Sequence, residues 1–270
     1  MVIIYTSGGA VQFTSPDQLS TATTYTVSTT TAGITINGNY YARVMSFNQD
    51  VSSISASSSN VNVVINITIS NKLVYYNFEG NANDVWGTTA YNGTLNGTPL
   101  SSVQAKFGTQ SLKPNGTVND TKFVSCPSFT FTTSNGLSIS FWTYNLGNTS
   151  GDVKVFEFTT ESLMMWKGSN VTKYNIANDI SWNMNDNLWN HVVITINSSN
   201  TTTIYLNNVL VNSKIVSGLL PSGTISSGGR IGRSLGSLHN SFNGYIDDFR
   251  IYNKVLTSSE VGYIYNNTAT

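Results

Sequence analysis

Charge is what this chain has least of: Asp, Glu, Lys and Arg together make up 10 % of its 270 residues, against roughly 25 % in an ordinary globular domain. Thirteen basic and thirteen acidic residues cancel to a formal net charge of zero. The basic residues are scattered, and the tightest pair is Arg230 and Arg233. Nucleic-acid binding needs a concentrated basic footprint, so no such partner is expected. Cysteine is nearly absent as well. Cys126 stands alone, which excludes an intrachain disulfide and leaves stability to the core or to a metal. No apolar run reaches about 18 residues, so membrane insertion through a helix is not expected. The opening Met1-Val2-Ile3-Ile4-Tyr5 has no basic start, long apolar stretch or cleavage site, and it does not read as a secretory leader.

What fills the chain instead is Asn, Thr, Ser and Gly around a hydrophobic share of 39 % and an aromatic share of 11 %. That is enough apolar material for a core, and it argues against disorder, which pairs low hydrophobicity with high net charge. Thr, Val, Ile, Tyr and Phe suit a pleated surface, while Asn and Gly suit tight turns. Short alternating segments run the whole length, so the class is all-β. Leu137 to Trp142 and Thr203 to Leu206 read as strands. His191 to Ile196, the polar turn Asn197 to Asn200 and a strand re-entering at Thr202 read as a hairpin. Thr257 with Glu260 three residues on, followed by Val261, Ile264 and Tyr265, predicts a capping box and one helix near the end. Ten Asn-x-Ser/Thr sequons occur, but so Asn- and Thr-rich a chain produces many by chance.

Residues 52–60 form a Ser-rich stretch that separates two regions. Before it, Asn39 to Asn48 resembles the late strands of a fibronectin type III or Ig-like module, and residues 61–69 read as one further strand. Residues 1–70 are therefore expected to form a small, incomplete Ig-like β domain or an assembly arm, with an open edge for another chain.

Six segments follow one another along residues 71–268: Leu73-Val74-Tyr75-Tyr76-Asn77-Phe78-Glu79-Gly80, Phe107-Gly108-Thr109-Gln110-Ser111-Leu112, Leu137 to Trp142, Trp189 to Thr195 with Ile204 to Asn208, Arg230-Ile231-Gly232, and Phe242 to Leu256. In this order they resemble a laminin G-like, concanavalin A-like domain. The resemblance implies a two-sheet antiparallel jelly-roll sandwich that contacts glycans, proteins or lipids, some relatives being glycosidases. It also implies a structural calcium ion between the loop after the first strand and the late Ile246-Asp247-Asp248 strand. In this sequence that would use Asp84, Asp247 and Glu79; the alternative is that these side chains cap turns and hold backbone amides.

The enzyme reading has little to stand on. Glu79, Glu157, Glu161 and Glu260 are the only glutamates. Glu157 and Glu161 on one strand would lie about 13 Å apart, beyond the ~5–9.5 Å that glycoside hydrolysis needs. Asp247 and Asp248 are neighbours, so they face opposite ways unless a bulge intervenes. His191 and His239 have no zinc-type spacing, and His191 is read as a half-buried packing residue. Trp142 and Trp189 fall at core positions, which leaves Trp86, Trp166 and Trp182 as rings beside polar loops that could stack on a sugar; the alternative is that they too fill the sandwich or a subunit interface. The expectation is a non-catalytic structural or adhesion protein at the surface of an assembly. Other subunits and glycans would be its partners, and a virion surface of a large DNA virus its context. A secreted or cell-surface lectin module is the alternative, and a degenerate glycosidase a more distant one.

Overall fold

The computed structural model describes residues 2–6, 11–14 and 40–44, and from 69 to 266 all but 148–152, 159–162, 168–171, 175–179, 216–222, 226–228 and 237–238. The chain divides into two compact units, Met1–Thr68 and Ile69–Thr270. In the first, Val2–Thr6 lies between Val11–Thr14 and Tyr40–Val44 in an antiparallel three-stranded sheet. The Ser-rich stretch and the strand expected over 61–68 fall outside the described residues.

The second unit is a sandwich of two sheets. One runs in the order Val209–Ile215, Thr201–Leu206, Trp189–Ile196, Leu137–Asn145, Gly244–Tyr252, Ser111–Leu112, Leu100–Ser101, with Lys72–Tyr76 also paired to Gly244–Tyr252. The other runs Ile180–Trp182, Thr172–Tyr174, Met164–Lys167, Val153–Glu157, Arg230–Ile231, Phe123–Ser125, Thr94–Asn96. Alternation decides which side chains meet between them. Leu137, Ile139 and Phe141 point into the core from one strand, and Val192, Ile194 and Ile196 from its neighbour. Phe249 stacks on Phe141 at 5.5 Å and meets Phe156 and Phe158 of the opposite sheet at 5.8 and 5.9 Å. These rings tie the two layers together.

Turn chemistry sets the edges. Asn197 accepts hydrogen bonds through Oδ1 from the Ser199 and Thr201 amides, closing the hairpin expected there. Asn207 and Asn208 both take positive φ, 50° and 67°, which is what a two-residue hairpin turn asks of its central pair. The helix forms at Ser258–Asn266. Its capping box is present in both directions: the Glu260 amide donates to Thr257 Oγ1 and the Thr257 amide donates to Glu260 Oε2. The helix carries Tyr265 onto the outer face of the first sheet, where it stacks on Trp142 at 5.5 Å. That cover explains why both faces of Leu137–Asn145 are buried at nearly every position.

His191, on that covered face, is buried completely, with Nε2 2.9 Å from Ser140 Oγ. Truncating the ring that bridges the layers should be the most costly core change. Phe249→Ala is expected to lower stability by about 3–5 kcal/mol, read as a lower urea midpoint at unchanged slope.

Candidate functional site

The strand Gly244–Tyr252 has both faces buried throughout and carries two adjacent aspartates. Regular alternation would send them to opposite sides of the sheet. Asp248 instead takes φ +57°, and the register against Leu137–Asn145 slips between Ser140 and Trp142, where Asp247 pairs. This bulge turns both carboxylates toward one cleft of about 220 Å³. Tyr75 and Asn77 from the first strand and the loop after it, Glu79, and the Phe107-Gly108 turn complete the lining.

Each acid in the cleft is held differently. Asp247 Oδ2 accepts the Lys106 and Phe107 amides at 2.8 and 3.1 Å. Burial pushes its pKa up to about 7 against the pull of those two amides, and the neighbouring Asp248 charge adds to the rise. Asp248 is also raised by burial, with the Arg250 guanidinium drawing it back. Arg250 lies 2.8 Å from its Oδ2, and a hydrogen bond with the Tyr75 side chain also lowers its pKa. Glu79 is lowered: desolvation opposes the shift, but the Gln110 and Thr109 amides and the Thr109 hydroxyl together outweigh it. The turn that delivers these donors needs glycine. Gly108 has φ +60°, and a Cβ there would come within 2.3 Å of the Glu79 carboxylate.

Asp84 lies apart from this cleft's lining. Its Oδ1 accepts the Tyr75 amide at 2.8 Å and the Trp86 amide at 3.3 Å, and its Oδ2 accepts the Thr88 amide at 2.9 Å. The carboxylate pins its own loop to the first strand. Glu79 and Asp247 therefore share a cleft, and the third acid beside them is Asp248, not Asp84. Among the described residues no three His, Cys, Asp or Glu side chains stand close enough to hold a metal by themselves. A cation in the cleft would have to draw on Asp247, Asp248, the Asn77 amide and solvent. The burial of Asp248 and the raised Asp247 are what such a charge would relieve.

The three tryptophans also separate. Trp86 is half-buried in an aromatic group, 5.6 Å from Tyr75 and 5.2 Å from Tyr252, with Lys72 Nζ 5.4 Å from its ring centre. Through Tyr75 it adjoins the acidic cleft. Trp182 lies in the core at 6 % exposure. Ile180 and Trp182 alternate inward on either side of exposed Ser181, so this ring has no face to offer a sugar. Trp166 belongs to the strand Met164–Lys167, and its side chain is outside the described residues. Sequence reasoning passed over Tyr75, Asn77 and Asp248. The available signal was a pair of aspartates inside an apolar strand of a chain otherwise poor in charge.

Of the glutamates first weighed as catalytic, Glu157 is buried and takes the Ser234 hydroxyl at 2.7 Å and the Leu235 amide at 3.0 Å, and Glu161 is outside the described residues. The fold and its loop-borne cleft define a lectin-like jelly-roll domain. The laminin G-type family model of the concanavalin A-like lectin/glucanases superfamily matches residues 116–262, more than half of the chain. The chain belongs to that superfamily. No curated protein matches it significantly.

Among solved structures, domain 4 of AbnA, a GH43 extracellular arabinanase from Geobacillus stearothermophilus, in complex with arabinotriose, is similar at TM-score 0.58 and 19 % identity; the match covers 73 % of this chain and 98 % of that one. The botulinum neurotoxin serotype G binding domain is similar at TM-score 0.54 and 17 % identity, over 72 % of this chain and 50 % of that one. The binding domain of botulinum neurotoxin DC in complex with SialylT is similar at 0.53 and 19 %, over 73 % and 51 %. This chain thus spans about half the length of the neurotoxin domains. At these identities the likeness is one of fold.

Two buried groups give opposite pH dependences. Asp247 rises from 3.8 unfolded to about 7 folded, so the folded state holds an extra proton between those values and stability falls as pH rises through them. His191 falls from 6.5 to about 3, driven by desolvation and by the Arg250 and Lys106 charges, so its contribution weakens as pH drops below 6.5. In the overlap the two nearly cancel. Asp247→Asn, which keeps an oxygen for the Lys106 and Phe107 amides, should unmask the histidine. In chelator, urea stability of the variant should climb between about pH 4 and 6.5 and stay level above. A wild-type-like profile would contradict the assignment.

Proposed function

We propose that this chain is a non-catalytic recognition module of a surface assembly, and that its sandwich engages glycans where Trp86 adjoins the Asp247–Asp248 cleft. A virion surface is the context we propose for it, on the strength of its Asn/Thr-rich, disulfide-free composition. The observation that carries the binding site is the junction of a half-exposed ring with a polar cleft. A sugar presents a C–H face to the ring and hydroxyl groups to Asn77 and the carboxylates. The arabinotriose and SialylT named with two structural neighbours are in keeping with this chemistry. Catalysis is disfavoured by what the acids already do: Glu79 takes three hydrogen bonds and Asp247 two from the loop they anchor.

A glycan array run on the full chain is the direct test. Binding is expected, and Trp86→Ala should weaken it roughly tenfold, about 1.4 kcal/mol, while leaving the melting temperature nearly unchanged. An array without a single reproducible ligand would sink the lectin reading.

The cleft is also where we place the calcium expected from the sequence, with Asp248 taking the part first given to Asp84. Calcium should raise the melting midpoint and chelator lower it, and Asp247→Asn should abolish the difference. An identical midpoint in both buffers removes the ion from the account.

One further observation favours assembly. The strand Val209–Ile215 closes one edge of the first sheet and leaves Val209, Leu210, Val211 and Ile215 exposed. Natural edge strands are usually blunted by charge, and this one has Lys214 alone. A strand from a neighbouring subunit would complete it. Leu210→Lys is expected to reduce concentration-dependent association in sedimentation; a chain that is monomeric at every concentration would rule the contact out.

A further inference from the structure

Lys167 ends the strand Met164–Lys167 in one sheet, and Asn145 ends Leu137–Asn145 in the other. Both are almost inaccessible, at 5 % and 3 % exposure. They meet at a single atom. Lys167 Nζ lies 3.6 Å from Asp186 Oδ1, and Asn145 Nδ2 donates to that same oxygen at 2.5 Å. The backbone fixes this meeting: Asn145 forms a bridge with Asp186, and the Asn187 amide donates to the Asn145 carbonyl at 2.7 Å. A primary amine, a carboxamide and a carboxylate are thus held together where two of the three are shut off from water.

We propose that Lys167 and Asn145 are joined by an intramolecular isopeptide bond, with Asp186 as the proton carrier. Asp186 takes a proton from the Lys167 ammonium, which frees the lone pair on Nζ. The amine attacks Asn145 Cγ, and a tetrahedral centre forms. The Nζ–Cγ bond is kept, the Cγ–Nδ2 bond breaks as Asp186 returns its proton to Nδ2, and Asp186 then passes the second proton of the new Nζ–Cγ nitrogen to the departing ammonia, which leaves as ammonium. An ammonium and a carboxamide go in, and a secondary amide and ammonium come out; nothing is oxidised or reduced. Asp186 already touches the departing nitrogen, so the proton need not travel.

Holding the reactants in place supplies what a dilute amine and amide lack. The Asp186 side chain is 37 % exposed, which gives ammonia a way out. The product would be a covalent strut between the two sheets of a chain whose lone cysteine cannot supply one.

The experiment is the intact mass of the full chain, purified folded and measured denatured, followed by tryptic mapping. The expected mass is lower than the sequence mass by one ammonia. Trypsin should fail to cut after Lys167, and fragmentation should find a branched peptide joining it to Asn145. Lys167→Arg and Asp186→Asn should restore the full mass, and Asn145→Asp should lose one water instead of ammonia. The wild-type map alone decides the matter if a variant does not fold. A full sequence mass, or an ammonia lost at an Asn-Gly pair with Lys167 still cleavable, overturns the proposal and leaves Lys167 and Asp186 an ordinary ion pair.

Discussion

A buried carboxylate is costly unless hydrogen-bond donors close around it, and this sandwich turns that demand into its means of holding loops. Asp84 gathers amides from Tyr75, Trp86 and Thr88. Asp120 takes the Asn115 and Lys122 amides and the Ser241 hydroxyl. Glu157 takes Ser234 and Leu235, and Asp247 takes Lys106 and Phe107. Hydrogen bonds to a charged group contribute about 1.5–3 kcal/mol each, so two or three per carboxylate offset much of the desolvation. Among the described residues Asp84, Asp120, Glu157 and Asp247 all serve in this way. The last of them ties segments as far apart in sequence as Lys106 and Asp247.

Asp248 departs from this pattern. It has the burial of the others, but the Arg250 guanidinium and the Tyr75 side chain answer its charge. The bulge that places it is a local departure from strand geometry in a strand pinned on both sides, by Leu137–Asn145 and by Lys72–Tyr76. Such a departure persists only where the surroundings over-determine it. The extra residue brings a second carboxylate to the cleft beside Asp247, and that is the difference between a loop clamp and a two-carboxylate cleft.

How far the sequence showed all this depends on the range of the forces involved. The hairpin of Trp189–Ile196 and Thr201–Leu206 and the cap of Thr257 with Glu260 were legible, because their causes lie within a few residues of each other. The inward set Leu137, Ile139 and Phe141 was legible for the same reason. The polar neighbours of Trp182 left it open to two readings, and the parity of its short strand, not its flanks, decides for the core. The pairing of Asp247 with Asp248 in one cleft was out of reach. Simple alternation predicts the opposite, and the bulge that reverses it arises from contacts with strands a hundred residues away. The Asp84 clamp was legible in part: its turn-capping bonds to Trp86 and Thr88 are local and match the alternative weighed for it, while the Tyr75 amide comes from the strand before the loop.

The distribution of surfaces then limits where function can lie. The space between the sheets is filled by Phe141, Phe156, Phe158 and Phe249, and the outer face of the first sheet is covered around Trp142 and His191 by Tyr265 of the terminal helix. Neither region has room for a ligand. Among the described residues two places stand out, the loop-built cleft beside Trp86 and the exposed strand Val209–Ile215 at the sheet's edge, and they differ in character. One is acidic, aromatic and concave, suited to a polyhydroxylated ligand; the other is apolar and extended, suited to another strand. A fold whose core is filled can carry both without conflict, because changing Trp86 or the edge strand leaves in place the ring stack that holds the sandwich together.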